Sequence, residues 1–271
     1  FVISGTIAYV SGTFSHIGGE DRYRLAAIDL TTGLATGWNP WASGWTSAEV
    51  RAMIRVGTTI YVGGSIWKLG DVTPHHLVAI DAVTGAILPW APLVNDHSVY
   101  ALAASSNTLF AGGDFYDING TRTQGLVALD GTTAAIIPWD PPDLGCYLVN
   151  SLLVSGNTLY VGGNFTRIAG LERGHLASID LTTRRVTAWN PHSSGWVTAL
   201  GLSGDTLYVG GHFSAMGDQP RNRLAAVSIT TDLANAWNPS LQYYPPYVLV
   251  PTGDSLLVGG NFGFVGTQGR S

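Results

Sequence analysis

Side chains that could hold a ligand gather in short, irregular stretches of this 271-residue sequence: Trp41 and Trp45, Asn95-Asp96-His97, residues 143–147, His192 with Trp196, and Tyr243, Tyr244 and Tyr247. Flat rings beside Asp, Asn and His suit stacking on sugar rings while polar groups bind hydroxyls, the mix that ligand sites use. The candidate ligand-binding residues are therefore Trp41, Trp45, His97, Tyr147, His192, Trp196, Tyr243 and Tyr244. A packing role stands beside this reading, because large aromatics also cover seams and anchor loops.

A second set is basic. Arg22, Arg122, Arg173, Arg221 and Arg270 stand at comparable places, with Pro74 breaking the set, and Arg24, His76, His175 and Arg223 lie near them. Such groups could bind an anionic glycan or a carboxylate through paired hydrogen bonds, or bond to loop carbonyls and neighbouring elements. Catalytic and metal signals are weak. His75 and His76 are adjacent and would point apart on a strand, and the sequence has no His-Glu-x-x-His, EF-hand loop, Cys pair, P-loop or Gly-x-Ser-x-Gly. Asp140 and Asp143 flank two prolines without implying the separation a glycosidase pair needs. No metal, cofactor or catalytic residue is assigned.

The elements that position these loops repeat. The stretch Leu-Tyr-Val-Gly-Gly-Asn-Phe at 159–165 has six versions, whose tyrosine positions fall at 9, 61, 110, 160, 208 and 257, steps of 48 to 52 residues. From the last residue of that stretch, a Leu follows at +11 (Leu25, Leu77, Leu126, Leu176, Leu224) and a Trp at +24 (Trp38, Trp90, Trp139, Trp189, Trp237), each Trp with Pro two residues later. At +15 stand Asp29, Asp81, Asp130 and Asp180, with Ser228 in the fifth unit. The unit at 149–190 reads as four strands: 149–154, 159–165, 176–180 and 186–190, with a Ser-Gly-Asn-Thr turn after the first and a polar loop, 166–175, after the second. The spacing predicts an all-β chain of four-stranded antiparallel blades, about 49 residues each, in one β-propeller domain over 1–271. The Trp should plug between blades, the paired glycines should admit a neighbouring backbone, and the Asp should accept N–H bonds from its turn.

The pattern Gly-Gly-x-Phe, Arg, Leu-Ala-x-Ile-Asp and Trp-Asn-Pro resembles the delta-60 type of bacterial β-propeller repeat, and the Asp-x-x-Thr-Gly turns at 29–33 and 81–85 are similar to PQQ-type and kelch-like propeller repeats. The resemblance implies an exported or surface-attached bacterial protein, often one segment of a longer chain. Quinoprotein cofactor residues have no counterpart, so the resemblance carries fold and not PQQ. The first two strands occur six times and the last two five times, which gives a six-bladed propeller of five full blades and a half blade, or else a five-bladed ring or a fragment of a larger one. Both ends read as cut or processed ends.

Composition narrows the partners. A net charge of -5 without a basic stretch argues against nucleic acid, and apolar runs fall short of the roughly 18 residues of a membrane span. The single cysteine, Cys146, provides no staple. The leading expectation is a non-catalytic extracellular module that binds a glycan or a protein through its aromatic loops. The alternatives are a scaffold whose incomplete blade takes a partner chain, and a polysaccharide lyase or hydrolase.

Overall fold

The computed structural model describes residues 1–40, 48–67, 76–95, 97–139, 148–266 and 268–269. Two compact units divide the chain, Phe1–Pro138 and Trp139–Ser271. Among the described residues both are built of antiparallel strands with no helix.

The first unit holds three three-stranded sheets. They are Val2–Ser4, Ile7–Ser11 and Leu25–Asp29; Ala48–Val56, Thr59–Ile66 and Leu77–Asp81; and Val99–Ser105, Thr108–Gly113 and Leu126–Asp130. In the second unit the sheets are Leu148–Ser155, Thr158–Asn164, Leu176–Asp180 and Arg185–Val186; then Val197–Ser203, Thr206–Gly211 and Leu224–Ser228; then the pair Pro246–Thr252 and Ser255–Gly260. In each of these sheets of three or four strands the second strand of the unit lies in the middle. Its alternate residues face neighbouring sheets on both sides, so these strands read as continuous apolar runs rather than as alternating patterns.

The fourth strand expected at 186–190 contracts to Arg185–Val186, and in four other sheets to a single bridge: Ile28 with Ala35, Ile80 with Ile87, Leu129 with Ile136, and Val227 with Ala234. The following Trp is the cause. To reach the next sheet it must lead the chain out of its own ladder, and Trp38 then donates from Nε1 to the Asp81 carbonyl at 2.9 Å, Trp90 to that of Asp130 at 3.0 Å, and Trp189 to that of Ser228 at 2.9 Å. Each of these rings also meets the middle-strand tyrosine of its own sheet edge to face, with centroids 5.2, 4.8 and 5.4 Å apart for Tyr9–Trp38, Tyr61–Trp90 and Tyr160–Trp189. The expected seam plug is thus a ring with one fixed hydrogen bond.

The turn carboxylates behave as expected. Asp81 Oδ1 accepts from the backbone N–H of Val83 at 3.0 Å and of Thr84 at 2.7 Å, and Asp130 Oδ1 from Thr132 and Thr133 at 2.9 and 2.8 Å. Ser228 does the same with its hydroxyl, accepting from Thr230 and Thr231 at 3.2 Å. The polar loop after the middle strand is more ordered than the sequence suggests. It folds into a two-residue hairpin, as at Asp117–Ile118 with Thr121–Arg122 and at Arg167–Ile168 with Leu171–Glu172.

Candidate functional site

The first strands of the five sheets after the first start with the same irregularity, which Val2–Ser4 lacks. Opposite the second glycine of the middle strand, the register slips by one, so that Arg51, Tyr100, Asn150, Thr198 and Tyr247 are each an extra residue without a ladder partner. Such bulges re-aim a side chain away from the pleat. The glycines make them possible: a β-carbon on Gly64 would lie 1.9 Å from the Glu49 carbonyl oxygen, and one on Gly63 would lie 2.6 Å from Val99 Cγ1 in the next sheet. One glycine of the pair therefore admits the bulge and the other admits the neighbouring sheet.

The bulged residue and the residue after the glycine pair stand at the same end of their sheet. In Phe1–Pro138, Arg51 donates from Nη2 to Glu49 Oε2 at 2.8 Å and lies over the Tyr100 ring at 4.8 Å. Tyr100 donates its hydroxyl to Asp114 Oδ2 at 2.9 Å, while Asp114 Oδ1 accepts the Ser98 N–H at 2.7 Å. Partial burial, followed by the bond to Asp114 and its charge, pushes the Tyr100 phenol up from its ordinary value, and the Arg51 charge opposes that rise. Glu49, Arg51, Tyr100 and Asp114 thus form a chain in which a cation and a neutral phenol lie between two carboxylates.

In Trp139–Ser271 the same positions carry Trp196, Thr198 and His212, followed by Tyr247. The Trp196 and His212 rings meet edge to face with centroids 5.8 Å apart. Desolvation, and then the nearby Arg223 charge, lowers the His212 pKa and so favours the neutral imidazole. Thr198 Oγ1 donates to the Pro246 carbonyl at 2.7 Å, which ties the start of one first strand to the start of the next. Trp196, Tyr243, Tyr244 and Tyr247 are all exposed. Tyr243 has a left-handed backbone, φ 74°, and its ring packs over Gly263, where a β-carbon would meet it at 2.9 Å. A non-glycine residue held there marks a site where the backbone is constrained by its surroundings.

The other sequence candidates fall out differently. Trp41, Trp45 and Tyr147 lie outside the described residues. His97 is exposed, and its N–H bonds to the Asn95 carbonyl at 3.0 Å, while Asn95 Nδ2 donates to Asp117 Oδ1 at 2.6 Å. His192 is also exposed, but its left-handed φ of 50° and its carbonyl, which accepts the Gly217 N–H, are matched by Ser240, φ 50°, and the Gly266 N–H. The conformation at His192 is thus a feature of the repeat. No contact joins His192, Trp196 and the Tyr243–Tyr244 pair into one pocket among the described residues.

The arginines are mostly structural. Arg22 donates from Nη2 to the Thr36 carbonyl at 2.8 Å and Arg173 to that of Thr187 at 2.7 Å, and Arg221 reaches the Asn235 carbonyl in the same way. Arg122 departs from the set and lies over the Tyr116 ring at 4.7 Å. Arg24, His76, His175 and Arg223 share a left-handed φ between 63° and 72° just before the third strand, the place that Gly125 takes in the third sheet. Among the described residues no three His, Cys, Asp or Glu side chains could hold a metal ion together, and no helix is long and apolar enough to cross a membrane.

No family model and no curated protein matches the sequence. Solved structures do match. The chain is similar to the computationally designed Ika8 protein, with TM-score 0.61 and 16% identity over 95% of this chain and 66% of that one. It is also similar to the extracellular domain of the one component system BT4673 from B. thetaiotaomicron, with TM-score 0.56 and 15% identity over 93% of this chain and 30% of the other. A third likeness is to the Neurospora crassa Pan2 WD40 domain, with TM-score 0.51 and 13% identity over 83% and 62%. The chain therefore spans two thirds or less of each of these structures. At such identities the likeness bears on fold alone, and it supports an all-β repeat fold of the propeller kind.

Proposed function

We propose that this chain is a non-catalytic, extracellular binding module that takes a glycan on the aromatic edge formed by Trp196, Tyr243, Tyr244 and Tyr247. The blades belong to a six-bladed propeller of the delta-60 type, of which the sequence supplies five units and a half. One observation carries the reading: residues that vary from unit to unit are concentrated where bulges and loop turns turn side chains away from the sheets. In the second unit these positions hold exposed rings beside an imidazole whose neutral form is favoured. Flat rings give sugar rings apolar faces to stack on, while His212 and the Gln242 amide offer hydrogen bonds to hydroxyls. The extracellular setting draws support from the resemblance to exported propellers and from the extracellular domain among the similar structures.

A broad glycan array tests the proposal, followed by titration of any hit with Trp196→Ala and Tyr247→Ala. The expected result is at least a tenfold weaker affinity at an unchanged melting temperature, in line with loss of a stacking ring. An array without hits, or binding unaffected by both substitutions, would overturn it.

A further inference from the structure

The seam between the sheets built on Thr158–Asn164 and Thr206–Gly211 closes differently from its counterparts in the first unit. There the middle-strand tyrosine reaches the next sheet: Tyr9 donates its hydroxyl to the Ala82 carbonyl and Tyr61 to the Gly131 carbonyl, each at 2.7 Å. Both acceptors directly follow a turn Asp, so the matching acceptor for Tyr160 is the carbonyl of Ile229, one residue after Ser228. Tyr160 is just as deeply buried, at 4% exposed, but its hydroxyl has no partner among the described residues. The residue at the acceptor accounts for the difference. Ala82 and Gly131 are small, and a β-carbon on Gly131 would already lie 3.2 Å from the Tyr61 oxygen, whereas Ile229 is branched and packs against the core of its seam. Burial, and then the Asp205 charge, raises the Tyr160 pKa, so the phenol keeps its proton and stands as a donor without an acceptor.

An open cavity of about 410 Å³ lies at this place, lined by Tyr160, Ser178, Thr187, Trp189, Thr231 and Asp232 among others. We propose that it is a second ligand site, which takes a neutral polyol of the size of one sugar ring. Its polar wall consists of hydroxyls and one carboxylate. The Ser178 and Thr187 hydroxyls bond to each other at 2.5 Å, and Thr187 Oγ1 accepts the Trp189 N–H at 3.2 Å. Asp232, φ 57°, stands where two turns of the first unit have Gly33 and Gly85. A β-carbon on Gly85 would lie 3.3 Å from the Asn39 nitrogen, and Asp232 Oδ2 accepts the equivalent Asn190 N–H at 3.3 Å, which leaves Oδ1 without a partner among the described residues. No Lys, Arg or His lines the cavity, so an anion would face an uncompensated carboxylate. An ammonium would suit Asp232 but has donors only, and the Tyr160 proton needs an acceptor. Hydroxyls on one sugar ring do both, accepting from Tyr160 and donating to Asp232, while Trp189 and Ile229 supply apolar wall. The cavity stands at the turn end of its sheet, where Thr158 pairs with Asp180, and Trp196 and Tyr247 stand at the glycine end of theirs. It is therefore separate from the aromatic edge.

The test is saturation-transfer NMR on the whole chain with glucose, galactose, mannose and myo-inositol as probes, each raised to about 100 mM so that a millimolar Kd registers. Saturable binding of at least one is expected. Tyr160→Phe should weaken it about fivefold through one lost hydrogen bond, and Asp232→Gly, which restores the glycine of the other turns, at least tenfold through a charged one. Melting temperature reads the hydroxyl independently: Tyr9→Phe should lower it by about 2–4 °C and Tyr160→Phe should leave it unchanged, because only the first hydroxyl has a partner inside the protein. Absence of saturable binding, equal binding by Tyr160→Phe, or equal loss of melting temperature in the two phenylalanine variants would overturn the proposal. So would tighter binding of glucosamine or glucose 6-phosphate than of glucose. Loss of binding on Trp196→Ala but not on Tyr160→Phe would overturn it too, by assigning the sugar to the aromatic edge.

Discussion

Trp189 and Trp237 occupy the same place in successive repeats and meet different surroundings. Trp189 is 8% exposed and its indole N–H donates to the Ser228 carbonyl; Trp237 is 38% exposed and its indole N–H meets no acceptor among the described residues. Both rings pack edge to face on their own tyrosine at 5.4 Å. The intra-sheet contact is therefore set by the sheet alone, while burial and the indole bond are contributed by the strand that arrives from the next sheet. A seam in this fold is completed from outside.

That contrast can be broken by mutation. The largest effect is expected at the closed seam: Trp189→Ala should cost about 3–5 kcal/mol, read by denaturant unfolding, whereas Trp237→Ala should cost about 1 kcal/mol or less because water already reaches the ring. Comparable losses at the two sites would show that both seams are closed in solution. Next in size is the glycine pair. A β-carbon on Gly210 would lie 2.3 Å from Pro246 Cγ, and one on Gly259 would lie 3.3 Å from its nearest neighbour. Gly210→Ala should destabilise by about 1–3 kcal/mol as an overpacked contact, and Gly259→Ala far less.

The smallest effect is electrostatic. Asp180 is held below the usual carboxylate range, chiefly by the Thr183 N–H and then by its hydroxyl. A lowered folded value gives stability that is complete above the ordinary carboxylate pKa of about 4 and is lost as pH falls through the folded value. Ser228 makes the equivalent turn without a charge. Asp180→Ser should leave neutral-pH stability nearly unchanged and shallow the decline on acidification, seen in unfolding midpoints between about pH 6 and pH 3. A steeper acid decline in the variant would contradict the assigned turn.

What repeats at fixed spacing was legible in the sequence: the seam Trp, the turn Asp, the glycine pair and the three long strands of each unit. Packing and turn geometry demand one residue type at one offset, so recurrence reveals them. The fourth strand was overread, since the residues after the Asp turn are apolar for the seam and not for a ladder. The bulges were missed altogether. An extra residue in one strand leaves no mark in a hydrophobic pattern until its partner is known, which is why Arg51, Tyr100 and Thr198 went unnoticed. Their signal lay in the position after the last glycine of the stretch, which runs Thr13, Ser65, Asp114, Asn164, His212 and Asn261 while that glycine stays constant. Trp196, Tyr243 and His192 were singled out because rings stand out in a loop; the structure adds that the first two are exposed and that the backbone conformation of His192 recurs at Ser240.

The register slip at the start of five of the first strands separates inheritance of form from freedom of content. A residue with no ladder partner can change without altering the register of its own sheet, so Arg51, Tyr100 and Tyr247 are positions that drift or selection can rewrite one at a time, while Asn150 and Thr198 also bond to the start of the next first strand. Randomising the first three together would yield a library of differing specificities on one unchanged scaffold.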